Sequence, residues 1–158
     1  MKAPNLPLTI FLCLASIGAG PAEARDLTPS CNLRAQQKTP SPDAALVGPE
    51  AGVLTAVPLN TVQIIDPGIA RRIVVQSVHA RRSPTQTIEL AARFFNCTDY
   101  RQQILVRSQF MDPGQFPSEP PSAWRTVFID PRSFSVYAEH SSGGAKVRYF
   151  LVEVTEAR

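Results

Sequence analysis

The residues with reactive side chains in this chain are few and widely spaced. His79 and His140 are the only histidines, Cys13, Cys31 and Cys97 the only cysteines. Nucleophilic catalysis needs a serine or cysteine within reach of a base, usually steadied by a third group. His79 lies in the alternating run Ile73 to Ala80, sharing parity with Val75 and Ser77, and His140 precedes Ser141-Ser142 at a turn. Both are expected in structural or solvent-facing roles. Glu119, Asp130 and Glu139 are separated by turns and strands and form no paired-carboxylate motif. No catalytic residue, cofactor site or metal site is therefore assigned.

The cysteines have a different chemistry. Residues 1–24 have the layout of an export signal: Lys2, an apolar stretch from Leu6 to Ile17, and Ala22-Glu23-Ala24 as a small-x-small site cut after Ala24. Export places Cys31 and Cys97 in an oxidising compartment, the periplasm or outside the cell, where a disulfide between them is a candidate worth ~4 kcal/mol in the chain-entropy picture. A reactive thiol has less support, since the charge of Asp99 opposes thiolate formation at Cys97. Asn96-Cys97-Thr98 matches the glycosylation triplet, a short match that means nothing in most bacteria.

The elements that position these residues are strands. Ile88, Leu90, Ala92 and Phe94 alternate with Glu89 and Arg93, and Ile104, Val106 and Phe110 alternate with Gln103, Arg107 and Gln109. A period of two marks half-buried strands. Asn96 to Asp99 has the short polar residues of a tight turn, which predicts a hairpin at the middle of an antiparallel sheet. Further strands are expected at 52–57 as a short edge, 61–65, 72–80, 125–129, 134–140 and 146–154, punctuated by Asp66-Pro67-Gly68, Met111-Asp-Pro-Gly114, Asp130-Pro131 and Ser141-Ser-Gly-Gly144. No window has a helical stripe. About seven strands at spacings near ten residues predict an all-β fold, an antiparallel two-sheet β-sandwich.

The 158 residues include 15 prolines, with 44% hydrophobic and 18% charged residues and a formal charge of +3. Pro29, Pro40, Pro42 and Pro49 fall in a stretch without periodicity, which predicts three segments: the signal over 1–24, a flexible Pro-rich tether over 25–58 and the sandwich over 59–158. A Cys31–Cys97 bond would lay that tether across the head. With no Lys/Arg run longer than two, a nucleic-acid partner is not expected.

The series Asn96-x-Thr98, Phe110-Met-Asp112-Pro-Gly114, a proline-rich gap, Trp124, Val127-Phe-Ile-Asp-Pro131 and Tyr149-Phe-Leu-Val-Glu153 resembles the YcfL family of small bacterial envelope proteins, over about residues 60 to 156. The resemblance implies an immunoglobulin-like sandwich on the periplasmic side of an outer membrane, in a family without an established activity. Members are typically lipoproteins. Here Phe11-Leu12 precede Cys13 and Thr28-Pro29-Ser30 precede Cys31, neither of which suits lipidation, so membrane attachment is not expected.

The expected role is thus a non-enzymatic binding or assembly factor of the cell envelope. Its partner is a protein, met through the loop Asp112 to Ala123 or a free edge such as 53–57. The alternative is a glycan-binding module reading peptidoglycan or lipopolysaccharide sugars with Trp124, Phe116 and Arg125; a hydrolase is a distant third. Trp124 is expected to plug one end of the core, the other reading being an exposed stacking ring. Phe116, between prolines, is expected to fold back over the core, with presentation to a partner as its alternative. Arg81 and Arg82, like Arg71 and Arg72, are expected as solvated charges at a strand end, candidates to face an acidic protein or a phosphate-bearing lipid.

Overall fold

The structure, a computed structural model, describes residues 31–38 and 40–157. The export signal and its cleavage site lie outside the described residues. Among the described residues, nine strands form two sheets: β1 (Ala45–Leu46), β2 (Thr55–Val57), β3 (Val62–Ile64), β4 (Ile73–Arg82), β5 (Ile88–Asn96), β6 (Gln102–Met111), β7 (Arg125–Ile129), β8 (Phe134–His140) and β9 (Tyr149–Glu156). One sheet runs β2-β4-β5-β8; in the other, β6 lies between β7 and β9, and both β1 and β3 add to β9. β3 pairs with β9 in parallel, and the other pairings among these strands are antiparallel. The all-β sandwich anticipated from period-two patterning is the observed fold.

Its core is what that patterning places between the sheets. Ile88, Leu90, Ala92 and Phe94 of β5 and Ile104, Val106 and Phe110 of β6 are all buried, with Val152 and Val154 of β9 and Ile129 of β7 in the same cluster. Each of these valine, leucine, isoleucine and phenylalanine side chains contributes roughly 1.5–3 kcal/mol relative to exposure.

The hairpin expected between β5 and β6 does not exist. β5 pairs with β4 and β8, whereas β6 pairs with β7 and β9, so the link 97–101 is an arch from one sheet to the other. The reason is Asn96. Its side chain is fully buried, and its amide nitrogen lies 2.7 Å from the carbonyl oxygen of Tyr100 and 3.1 Å from those of Ile129 and Asp130. Its Oδ1 accepts from the backbone N–H and hydroxyl of Thr98. Turn chemistry was read correctly from the residue types, but those bonds fasten the arch to the β7–β8 connection. With its nitrogen occupied and buried, Asn96 offers no site for a glycan in the folded chain.

Strand β4 contains a second departure. Its pairing with β5 shifts between Val75 and Ser77, leaving Gln76 as an extra residue. Alternation therefore restarts: Ile73 and Val75 face the core before the bulge, and Val78, Ala80 and Arg82 after it.

The segment expected as a tether is built into the sandwich from Asn32 onward. Cys31 and Cys97 are bonded, with Cα atoms 5.6 Å apart, which fastens the strap to the arch. Helix α1 (Leu33–Gln37) follows, capped by Asn32 Oδ1 accepting from Ala35 N–H. Five residues make a helix too short to stand alone; the disulfide on one side and Gln36 on the other hold it. β1 then joins β9, burying Ala45 and nearby Val47, and β2 joins β4. Proline there shapes an ordered covering and does not mark a linker, so no domain boundary falls at residue 58.

Candidate binding surface

The loop after β6 is fixed by its own polar residues. Asp112 Oδ1 accepts from the N–H groups of Gly114 (2.8 Å) and Phe116 (3.0 Å), Phe116 C=O accepts from Asp112 N–H, and Gln115 takes a positive φ of 62°. Farther along, Ser118 N–H and hydroxyl donate to Phe110 C=O, and Ser108 and Ser122 exchange two bonds. Glu119 Oε2 accepts from Ser142 N–H and hydroxyl, tying the loop to the turn before β9. Phe116, expected to fold back, is instead 71% exposed. A constrained loop with a presented ring loses little conformational freedom on binding.

Trp124 does not plug the core. It is 38% exposed, and the guanidinium of Arg107 sits 4.4 Å from its ring centre while donating through Nε to Glu153 at 2.5 Å. The stack lies on the outer face of the β9-β6-β7 sheet, where Arg107 pairs across from Glu153. The large aromatic that β8 buries is Tyr137, whose hydroxyl lies 3.1 Å from Ser108 Oγ and 3.3 Å from Ser122 Oγ. Burial raises the Tyr137 phenol above its ordinary range, opposed in part by the serine bonds. Arg107, under Trp124, and Asp112, which holds Phe116, are five residues apart along an extended chain, roughly 15 Å between their backbones. Arg125 turns away to Ala138 C=O and Glu139.

The two arginines nominated together have opposite fates. Arg81 is on the surface, half-exposed, and donates to Glu89 across the β4–β5 pair. Arg82 is 1% exposed and is not a partner contact. The bulge at Gln76 gives it core parity, and its guanidinium donates to the carbonyls of Gly48 (3.2 Å), Gln86 (2.8 Å) and Val147 (2.8 Å). Burial, helped by the charge of Arg148, lowers its pKa from the ordinary arginine value. The three carbonyls offset the cost of a buried cation and join three loops at one end of the sandwich.

His79 stands opposite Ala56 and Ala91 and His140 opposite Glu89, on separate strands of one sheet. Among the described residues, no three His, Cys, Asp or Glu side chains gather as a metal site. Edge strand β2 runs on from Val53 and Leu54, both more than half exposed.

One concavity was not foreseen. A groove of about 540 Å³ lies between α1 with its following prolines, Pro40 and Pro42, and the strands β3 and β4. Leu59, Val62, Ile64, Ala70 and Val74 give it an apolar lining. Sequence reading missed it because one of its walls, from Asn32 to Pro42, belongs to the stretch read as tether.

The fold and these surfaces define a disulfide-strapped, two-sheet β-sandwich. No protein-family model and no curated protein matches the chain. Among solved structures it is similar to Campylobacter jejuni cj0090, at 11% identity and a TM-score of 0.51, over 61% of this chain and 98% of that one. A DUF1425 family member from Shewanella sp. pv-4 matches at 13% identity and 0.48, covering 54% of this chain and 79% of its own. The Salmonella enterica trimeric lipoprotein SadB matches at 8% and 0.33, over 52% and 55%. At such identities the first likeness speaks to the fold alone, and the other two are too distant to argue from.

Proposed function

We propose that this chain is an exported, non-enzymatic binding or assembly factor of the cell envelope, in the periplasm or outside the cell, and that its partner is a protein met through the 112–123 loop. Phe116 carries the reading: a ring 71% exposed on a loop fastened at both ends. A large apolar side chain held in solvent by dedicated hydrogen bonds suits a partner's pocket, since anchors of this kind dominate protein interfaces. The Cys31–Cys97 bond supports an oxidising compartment and leaves Cys31 without a free sulfur for lipidation.

The glycan reading is weaker here, because one face of Trp124 is already covered by Arg107. A photo-crosslinking residue placed at Phe116 in the exported protein tests the proposal. A discrete protein adduct is expected from that position and not from Thr126 on β7. Equal labelling from both positions would overturn it, and a change of Trp124 emission on adding soluble peptidoglycan fragments would favour the glycan module.

A further inference from the structure

Strand β4 is covered on its outer edge by β2 only from Val78 to Ala80. Upstream of the bulge, Ile73 C=O and Val75 N–H point to that edge and have no strand to meet. Both are taken by one side chain: Gln36 Nε2 donates to Ile73 O at 2.9 Å, and Gln36 Oε1 accepts from Val75 N–H at 2.7 Å. A carboxamide is chemically a peptide group, planar, with a donor and an acceptor. Gln36 thus supplies the two bonds that a neighbouring strand would supply.

The groove opens beside this point, and its chemistry limits what enters. Among the described residues its lining includes no charged side chain and no aromatic ring; apolar Leu59, Val62 and Ile64 are accompanied by amides such as Asn60 and Gln76. An anionic headgroup would find no cation and a sugar no stacking face. An acyl chain would fill the volume but leave Ile73 and Val75 without partners once Gln36 moved away. An extended peptide satisfies both requirements.

We propose that this groove binds an extended, uncharged segment of a protein, whose backbone displaces the Gln36 carboxamide and adds to β4 at Ile73–Val75 while an apolar side chain seats against Leu59, Val62 and Ile64. Gln36 is then a latch, carried on a five-residue helix that the disulfide also fastens. The site goes beyond the Phe116 loop and is built from other elements.

The test uses the disulfide-intact chain and three probes: a labelled, end-blocked peptide alternating valine and threonine, the same peptide with an N-methylated backbone, and lauric acid. Gln36→Ala removes the internal competitor and should tighten the first peptide about five- to tenfold, the worth of about one net hydrogen bond. Leu59→Trp fills the groove from its rim and should weaken it at least about tenfold, as should N-methylation. Phe116→Ala should change nothing, which separates failure here from failure of the loop proposal. Should Gln36→Ala unfold the strap, Gln36→Glu keeps the length yet cannot donate to Ile73 at neutral pH, and should tighten binding likewise. Unchanged or weakened binding in the folded Gln36 variant, equal binding of the N-methylated peptide, no binding by any form, or occupancy by lauric acid alone would each overturn the proposal.

Discussion

Asn96 and Asp112 both end a long strand and both fold the next few residues back onto a side-chain oxygen, yet one loop is sewn into the molecule and the other holds a ring out in water. Asn96 Oδ1 accepts from Thr98, and Asp112 Oδ1 accepts from Gly114 and Phe116. The difference is one atom. An asparagine has N–H donors left over, and these reach the carbonyls of Tyr100, Ile129 and Asp130. An ionised aspartate accepts only, so Asp112 shapes its own turn and fastens it to nothing beyond. A local turn signal therefore fixes the bend, and the spare donors decide whether the bend is pulled inward.

Exchanging that atom is the most direct way to break the contrast. Asn96→Asp would set a carboxylate against three carbonyl oxygens in a buried site, and a loss of about 3–5 kcal/mol in urea unfolding is expected; a loss below about 1 would mean that the arch is held by the disulfide alone. Tyr137→Phe tests the place where the outward loop touches the core through Ser122, and about 1 kcal/mol is expected at neutral pH. Because the folded phenol titrates above its unfolded value, the unfolded chain ionises first as pH rises through about 10. Wild-type stability should then fall above that pH, and fall less in the Phe variant, as alkaline unfolding curves would show. Asp112→Ala should cost about 1 kcal/mol, and faster amide exchange at Gly114 and Phe116 would locate it. Smallest of all, Asp112→Asn and Phe116→Ala should each move thermal unfolding by no more than about 0.5 kcal/mol, the second while weakening capture of the partner by a crosslinker moved to Gln115.

The same contrast explains what sequence could and could not reveal. Inward residues on β5 and β6 were legible because pleating is a local property and each strand declares its buried face in steps of two. Which sheet each strand joins was not, since Asn96 to Asp99 suits a hairpin and an arch equally, and the deciding carbonyls lie more than thirty residues away. Arg82 was misplaced for a related reason: nothing about Gln76 announces an extra residue, and when Gln76 is counted as an ordinary step of the pleat Arg82 falls on the face opposite Ile73 and Val75. The groove and the Gln36 latch stayed hidden because prolines between Asn32 and Pro42 suggest a linker unless one knows that Cys31 is bonded to Cys97. Phe116 was correctly singled out as a loop aromatic, but its exposure depends on Asp112 bonds that residue types only hint at.

The irregularity at Gln76 has a consequence for association between molecules. Excising that residue would bring Ile73, Val75, Val78, Ala80 and Arg82 into one unbroken alternation with none of them changing sides. The interior would be conserved while the upper rim of β4 became straight. A straight rim is the form that accepts another strand most readily, so one surplus amide in mid-strand disfavours such pairing at no expense to the interior.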